Sequence, residues 1–289
     1  MEGAICQSLD MNTAYELNKK IDKALLLLTS VCENKPVEVC YSGGKDSETI
    51  LELAKMAGIN YQPFYKNTTI DPPMTIKHVQ SKGATIITPK YNFFELVKRN
   101  GMPTRRARFC CRYLKEYKVL DVAIQGIRVS ESKKREKRYS INDPVVCRFY
   151  GSKKQHVNVI YPILSWSDND VKDFIKDRNI RCHPLYYDKE GNFCVKRRLG
   201  CIGCPLQADA GKEDFKMYPK FFKRLVECVC IWWDTHPDAK SHKKFLSPYG
   251  LIAHNLFYGN FYDWQSDNYS LFGYRDWKAV LEEYFSIEL

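Results

Sequence analysis

Along this chain the spacing of hydrophobic positions switches repeatedly between a helical period and a strand period. Residues 12–33, NTAYELNKKIDKALLLLTSVCE, carry apolar side chains three and four apart, which predicts an amphipathic helix. VEVCY at 37–41 is short, alternating and rich in β-branched residues, and reads as a buried strand. SGGKDS follows it, and ETILELAKMAG predicts a helix that stops at Gly58. The alternation continues with NYQPFYKN as a strand, MTIKHVQSKG as a helix, ATIIT as a strand, NFFELVKRNG as a helix and LDVAIQGI (120–127) as a strand. The charged run RVSESKKREKRYS predicts a mobile loop. HVNVIYPI (156–163) reads as a further strand, and SDNDVKDFIKDRN as a helix capped by Ser167. KEDFKMYPKFFKRLVECVCIWWDTH is helical in pattern but holds Pro219, so it predicts two helices or one kinked helix.

Strands alternating with helices argue for βα units and a mainly parallel sheet, hence an α/β fold with five or six strands. The pattern divides the chain into an N-terminal helix (1–35), a βα domain (36–235) and, after a composition shift near 236, a helical C-terminal extension (236–289). Within that extension, FLSPYGLIAHNLFYGNFYDWQSDNYSLFGYRDW carries 11 aromatic residues in 33. Such rings can stack on bases, although burial is the commoner use of an aromatic side chain.

Composition narrows the class. The 289 residues are 44% hydrophobic and 27% charged, an ordinary globular balance. The opening MEGAICQSLD has no basic segment ahead of an apolar core, and the longest aliphatic run, ALLLL at 24–28, is too short for a bilayer. The expectation is a soluble cytoplasmic protein with no membrane partner. A net charge of +11 points to an anionic partner, nucleotide or nucleic acid, or else to a merely basic surface. Twelve cysteines in a reducing compartment point to metal binding or catalysis rather than disulfides.

The sharpest chemistry lies in VEVCYSGGKDSETILEL, a strand, a glycine-containing loop and a helix in succession. Gly43 and Gly44 let backbone N–H groups approach a ligand, and the helix N-terminus adds free donors and partial positive charge. Lys45 supplies a full charge, Ser42 and Ser47 can donate hydroxyl bonds, and Asp46 can hold a metal or the loop. The pattern is not GxxxxGK[ST]. It resembles the PP-loop of N-type ATP pyrophosphatases. In that family the loop holds the pyrophosphate of ATP, an acceptor oxygen attacks the α-phosphorus, and a second nucleophile displaces the adenylated group.

RRARFCCRYLKEY (105–117) places Cys110 beside Cys111, and RLGCIGCPL places Cys201 and Cys204 in C-x-x-C spacing about 90 residues later. Paired thiols at both ends can converge on one metal site. Adjacent ligands suit a multi-iron cluster better than a single tetrahedral zinc, although zinc stays open, and Cys194 could replace one member of the first pair. The pattern resembles the [4Fe–4S] site of adenylyl-sulfate reductases, within the phosphoadenylyl-sulfate (PAPS) reductase family. GIRVSESKKR looks like that family's substrate-loop motif of the form GxRxx(E/Q)SxxR, which implies nucleotide contacts from Gly126, Arg128, Glu131, Ser132 and Arg135. YPILSWSDNDVKDFI and HPLY match the segment ahead of its CxxC, so the resemblance spans roughly 36–235. It implies an adenine-nucleotide α-hydrolase-like fold.

The remaining cysteines read otherwise. Cys6, Cys32, Cys40, Cys147 and Cys182 are small buried hydrophobes in this reading, and Cys228 and Cys230 are structural. Arg105, Arg106 and Arg108 before one pair, and Lys196, Arg197 and Arg198 before the other, can offset the charge of a thiolate cluster and hold an anionic substrate. Family reductases also carry a nucleophilic cysteine near the C-terminus in a motif of the form ECGxH. Here nothing after Cys230 is a cysteine, and VECVC (226–230) continues as IWWDTHP inside a predicted helix. That argues against sulfonucleotide reduction.

The resemblance therefore implies an enzyme using ATP and Mg2+, with Lys45 and Asp46 catalytic. It would adenylate an acceptor and, like cluster-bearing PP-loop enzymes that thiolate tRNA or DNA, insert sulfur into nucleic acid with a possible sulfur-donor protein as partner. Two readings remain beside it: an adenylyl- or phosphoadenylyl-sulfate reductase acting on a sulfonucleotide, and a non-catalytic nucleotide-binding module of a defence or mobile-element complex.

Overall fold

The computed structural model describes residues 11–32, 35–150, 155–257, 269–270 and 273–289. Cys6 and much of the aromatic stretch after 257 lie outside the described residues. Contacts divide the chain into two interleaved units. The first is Met1–Asn67, Pro72–Thr88 and Glu116–Leu199; the second is Thr68–Asp71, Pro89–Lys115 and Gly200–Leu289.

The first unit is built on a six-stranded sheet. Its elements are α1 (Met11–Cys32), β1 (Val37–Tyr41), α2 (Lys45–Met56), β2 (Tyr61–Lys66), α3 (Thr75–Ser81) and β3 (Thr85–Ile87). In the second unit follow α4 (Phe93–Asn100) and α5 (Phe109–Leu114), after which the first resumes with β4 (Val122–Ile124), α6 (Lys133–Arg138), β5 (Val145–Tyr150), β6 (Gln155–Ile160) and α7 (Asp168–Asp177). The strand order is β3-β2-β1-β4-β6-β5, and every pairing is parallel except the antiparallel β5–β6 edge.

Periodicity explains the packing. In α1, Leu17, Ile21, Ala24, Leu28 and Cys32 form one buried stripe, and Val37, Val39 and Tyr41 of β1 face the same core. Glu38 and Cys40 lie on the other face of β1, as a period of two requires. Gly58, at φ 62°, takes the left-handed position beyond the end of α2. Ser167 and Asp170 form a reciprocal capping box at the start of α7.

Two differences from the sequence reading stand out. The run 128–140 folds as a single 3-10 turn, Val129–Glu131, followed by α6, rather than as a mobile loop. Ser132 supplies the N-cap, accepting the Arg135 N–H. Tyr139, just beyond the helix, packs edge-on against buried Tyr161 at 5.2 Å and anchors its far end. The second difference is β5, an edge strand that the basic run beside it concealed.

The second unit is helical, with α8 (Lys212–Met217), α9 (Pro219–Thr235), α10 (Pro248–Phe257) and α11 (Trp277–Phe285), plus a two-residue β pairing of Tyr269–Ser270 with Gly273–Tyr274. Pro219 occupies the first turn of α9, where its missing N–H costs nothing, so the segment forms two helices. Phe93, Val97, Phe215, Phe222, Val229, Trp277 and Phe285 are among its core residues. Among the described residues no helix is long and apolar enough to cross a membrane.

Candidate nucleotide and thiol sites

In the first unit the loop after β1 borders a cavity of about 170 Å³. Ser42, Gly44, Lys45, Asp46 and Ser47 form one side, and Gly126, Glu131, Tyr186, Arg198 and Leu199 contribute to the rest. Gly43 adopts φ 73°, which reverses the chain between strand and helix. Gly44 caps α2 without a side-chain acceptor, so the helix N-terminus faces the cavity through its backbone donors. Inside the loop, Ser47 Oγ donates to Gly44 O at 2.8 Å and accepts the Ser42 N–H at 3.2 Å. The Tyr186 hydroxyl accepts N–H groups from Lys45 (3.1 Å) and Leu199 (3.2 Å), tying the loop to the opposite wall.

Lys45 and Asp46 belong to a chain of charges. Lys45 Nζ lies 2.9 Å from Asp46 Oδ2, and Arg128 Nε donates to Asp46 Oδ1 at 2.7 Å. Arg128 Nη2 reaches Asp168 Oδ1 at 2.7 Å, and its Nη1 donates to Ser130 Oγ and Trp166 O. Arg128 is fully buried, so its role here is to hold Asp46 and the start of α7 in place. Glu131 pairs with Arg135, whose acidity is raised first by burial and then by the neighbouring Arg198. Thus Gly126 and Glu131 reach the cavity wall, whereas Gly43, Arg128, Ser132 and Arg135 stand behind it.

Gly126 has a specific reason to be glycine. A Cβ there would lie 2.8 Å from the Asp46 carbonyl oxygen, so only a bare backbone lets the wall approach the loop.

Several participants escaped sequence reasoning. Buried Glu48 in the first turn of α2 is bonded by the Tyr41 hydroxyl, His78 Nε2 (2.6 Å) and Lys82 Nζ (3.1 Å). On the other face of β1, fully buried Glu38 pairs with Lys66 at 2.8 Å and accepts the Val119 N–H at 2.6 Å. Burial opposes the charge of Glu38, but Lys66 outweighs it and holds the carboxyl below its ordinary range. Cys40, read from sequence as a buried hydrophobe, borders the cavity and accepts from Lys118 Nζ at 3.1 Å. Cys147 is exposed rather than buried, while Cys32 and Cys182 are buried as expected. Alternation along β1 was the available signal for Glu38, since a carboxylate mid-strand in a parallel sheet needs a partner.

The paired cysteines fall in the second unit, and Cys194 falls in the first. Cys110 and Cys111 are hydrogen-bonded to each other, and the Cys201 sulfur is close enough to act electrostatically on Cys110. The bond to Cys111 and then burial push the Cys110 thiol well above its usual value. Cys201 Sγ lies 3.5 Å from Thr68 Oγ1 and 3.9 Å from Asp71 Oδ1. Lys115 completes the group. Loss of hydration lowers its basicity, but Cys201 and Asp71 more than restore it and hold the ammonium above its ordinary value. Cys204 is half-buried.

The C-x-x-C turn is rigidly built. Gly203 has φ 65°, donates its N–H to Asp214 Oδ2 at 2.9 Å, and carries the Phe215 ring where a Cβ would project. Arg105 donates to the carbonyls of Pro205 (2.9 Å) and Gln207 (2.6 Å), tying the segment before one pair to the segment after the other. Among the described residues no three His, Cys, Asp or Glu side chains converge as a ready site for one metal ion. The donor set is thiol-rich with a resident cation beside it, which suits a sulfur-ligated anionic cluster in chemistry.

A sequence model of the phosphoadenosine phosphosulfate reductase domain matches residues 36–207. An uncharacterized protein of Methanocaldococcus jannaschii is 29% identical over 232 residues, 74% of this chain and 53% of its own length. The chain spans about half the length of these curated relatives, a second uncharacterized protein of the same organism included. A phosphoadenosine 5'-phosphosulfate reductase of Buchnera aphidicola is 46% identical over 39 residues, 14% of this chain and 16% of that one. Among solved structures, the U34-tRNA thiolase NcsA from Methanococcus maripaludis, with its [4Fe-4S] cluster, aligns with a TM-score of 0.44 at 15% identity, covering 80% of this chain and 82% of that one.

Proposed function

Since the chain belongs to the phosphoadenosine phosphosulfate reductase domain family, we propose that it is a nucleotide-using enzyme that binds ATP on the 42–47 loop, adenylates an acceptor and serves sulfur insertion into nucleic acid. The observation that carries this reading is the cavity beside the N-terminus of α2, with Lys45 at its edge and Gly126 closing its wall.

In this reading the backbone donors of Gly44, Asp46 and Ser47 take the pyrophosphate oxygens, and the Lys45 ammonium adds a full charge. Bound phosphate competes with Asp46 for the Lys45 ammonium. Arg128 keeps Asp46 from following, because its guanidinium is pinned by Asp168 and the Trp166 carbonyl. Tyr186 fixes the loop against the Leu199 segment, so the donors stay aimed as charge develops on the leaving pyrophosphate. With both Asp46 oxygens engaged, Mg2+ would enter with the ATP phosphates rather than on a protein cage.

Cys110, Cys111, Cys201 and Cys204 would hold a [4Fe–4S] cluster, with zinc as the competing metal. Such a cluster supplies iron able to ligate sulfur. Lys115 and the flanking arginines offset its negative charge, and Arg105 keeps the two cysteine segments in register.

The test is Lys45→Ala. Loss of a charge-assisted contact should weaken ATP binding by about 1.5–3 kcal/mol, measured by calorimetry. Unchanged affinity sinks the reading. A second reading, sulfonucleotide reduction, is favoured by the stretch of 46% identity to a reductase. It requires sulfite release from a sulfonucleotide and a thiol donor, and enzymatic sulfite production would establish it over the first.

A further inference from the structure

Helix α6 is an orphan of the mechanism above. Its sequence, KKREKR, sets five cations against the single carboxylate of Glu136. Helical spacing sorts them. Glu131, Arg135 and Tyr139 recur every four residues on the inward side, where Glu131 borders the nucleotide cavity and pairs with Arg135. Lys133, Lys134, Lys137 and Arg138 are exposed. Arg135 is the α6 cation that an acid within the first unit neutralises.

The array is also held still. Ser132 caps the helix at one end, and Tyr139 docks on Tyr161 at the other. Arg148 of the edge strand β5 lies over both rings, 5.2 Å from Tyr139 and 5.6 Å from Tyr161. Among the described residues no ion pair engages Lys133, Lys134, Lys137 or Arg138, and like charges one turn apart repel, so these cations do not help the helix to fold.

Resting on the acceptor reading above, we propose that the outward face of α6 is the docking surface for the phosphodiester backbone of a single-stranded nucleic acid whose acceptor nucleotide enters the cavity. Charge complementarity names the occupant, since four fixed cations match a repeating −1 backbone. A single strand is the favoured form, because it offers its acceptor nucleotide to the cavity without the unstacking and unpairing that a duplex must undergo. Lys133, Lys134, Lys137 and Arg138 then position the strand and carry no sequence discrimination of their own.

The experiment uses the full chain and a variant carrying Lys133→Ala, Lys134→Ala, Lys137→Ala and Arg138→Ala. Alanine preserves helix propensity, and these side chains are exposed, so circular dichroism and thermal unfolding should match the parent. Binding of labelled 20-nucleotide single-stranded RNA and DNA is followed by anisotropy across a salt series, with duplex of the same sequence and polyglutamate as competitors. The parent should bind single strands. The variant should bind about tenfold or more weakly near 0.1 M salt, with a log–log salt slope shallower by about 2–3. ATP affinity should be equal in the two proteins. Equal affinity and slope in parent and variant, preference for duplex, or equally effective competition by polyglutamate each overturn the proposal. If ATP binds normally while single strands do not, the docking surface falls and the loop reading stands; if Lys45→Ala leaves ATP binding unchanged, the loop reading falls by itself.

Discussion

Single residues decide whether the loop and its support hold their geometry. Glu38 is fully buried against Lys66, so Glu38→Gln leaves a buried cation without its partner and should cost about 3 kcal/mol at neutral pH. The sign with pH follows from the lowered pKa. The folded-state value lies below the unfolded one, near 4.3 for an ordinary glutamate, so the contribution is complete above that pH and is lost as pH falls through the folded value. Urea denaturation should therefore show the gap between parent and variant closing below about pH 4, and a gap independent of pH refutes the assignment. Gly126→Ala meets the Asp46 backbone, which cannot swing aside as a side chain would. The wall must move, and nucleotide affinity or stability should fall by about 1–3 kcal/mol by calorimetry and thermal melts. Neither residue announces its partner locally: the glutamate's lysine is 28 positions away, and the glycine's neighbour is 80.

Among elements, the helices that sequence marked most clearly are those with chemical boundaries. Ser167 and Asp170 close a capping box on α7, while Asp170 also accepts from Lys20 of α1 at 2.6 Å. Ser167→Ala should remove about 1 kcal/mol, read as a shift in the unfolding midpoint. No shift would mean that packing of Val171 and Phe174 alone sets the helix start. Boundaries at Gly58 and Pro219 were equally legible, since left-handed backbone and a missing N–H act within a turn. α6 was not. A basic run without apolar periodicity reads as solvated loop, yet a cap at Ser132 and one ring contact at Tyr139 are enough to fold it. β5 was hidden similarly, because an edge strand is defined by its partner β6 more than by its own pattern.

For the whole molecule, the test is the thiol group of the second unit. Cys201→Ser should lose most of the iron of anaerobically prepared protein, about four per chain in the parent, whereas Cys228→Ser, in the packed core, should keep iron and lose stability. Retention of iron in Cys110→Ser with loss in Cys194→Ser would overturn the ligand assignment and leave the cluster standing. Iron-free protein whose four thiols alkylate freely would end the metal reading. By itself the sequence determined the βα order, the parallel sheet, the loop at 42–47 and the family, because these rest on periodicity and on contiguous motifs whose physics is local. Tertiary structure decided the rest. The interleaving of two units, the pinning of Arg128 between Asp46 and Asp168, the Tyr186 tether, the Arg105 clamp and the grouping of Cys110 with Cys201 all join residues tens of positions apart. Hydrogen bonds and charge pairs act over a few ångströms of space, and a linear pattern carries no record of which distant segments the core brings within that reach.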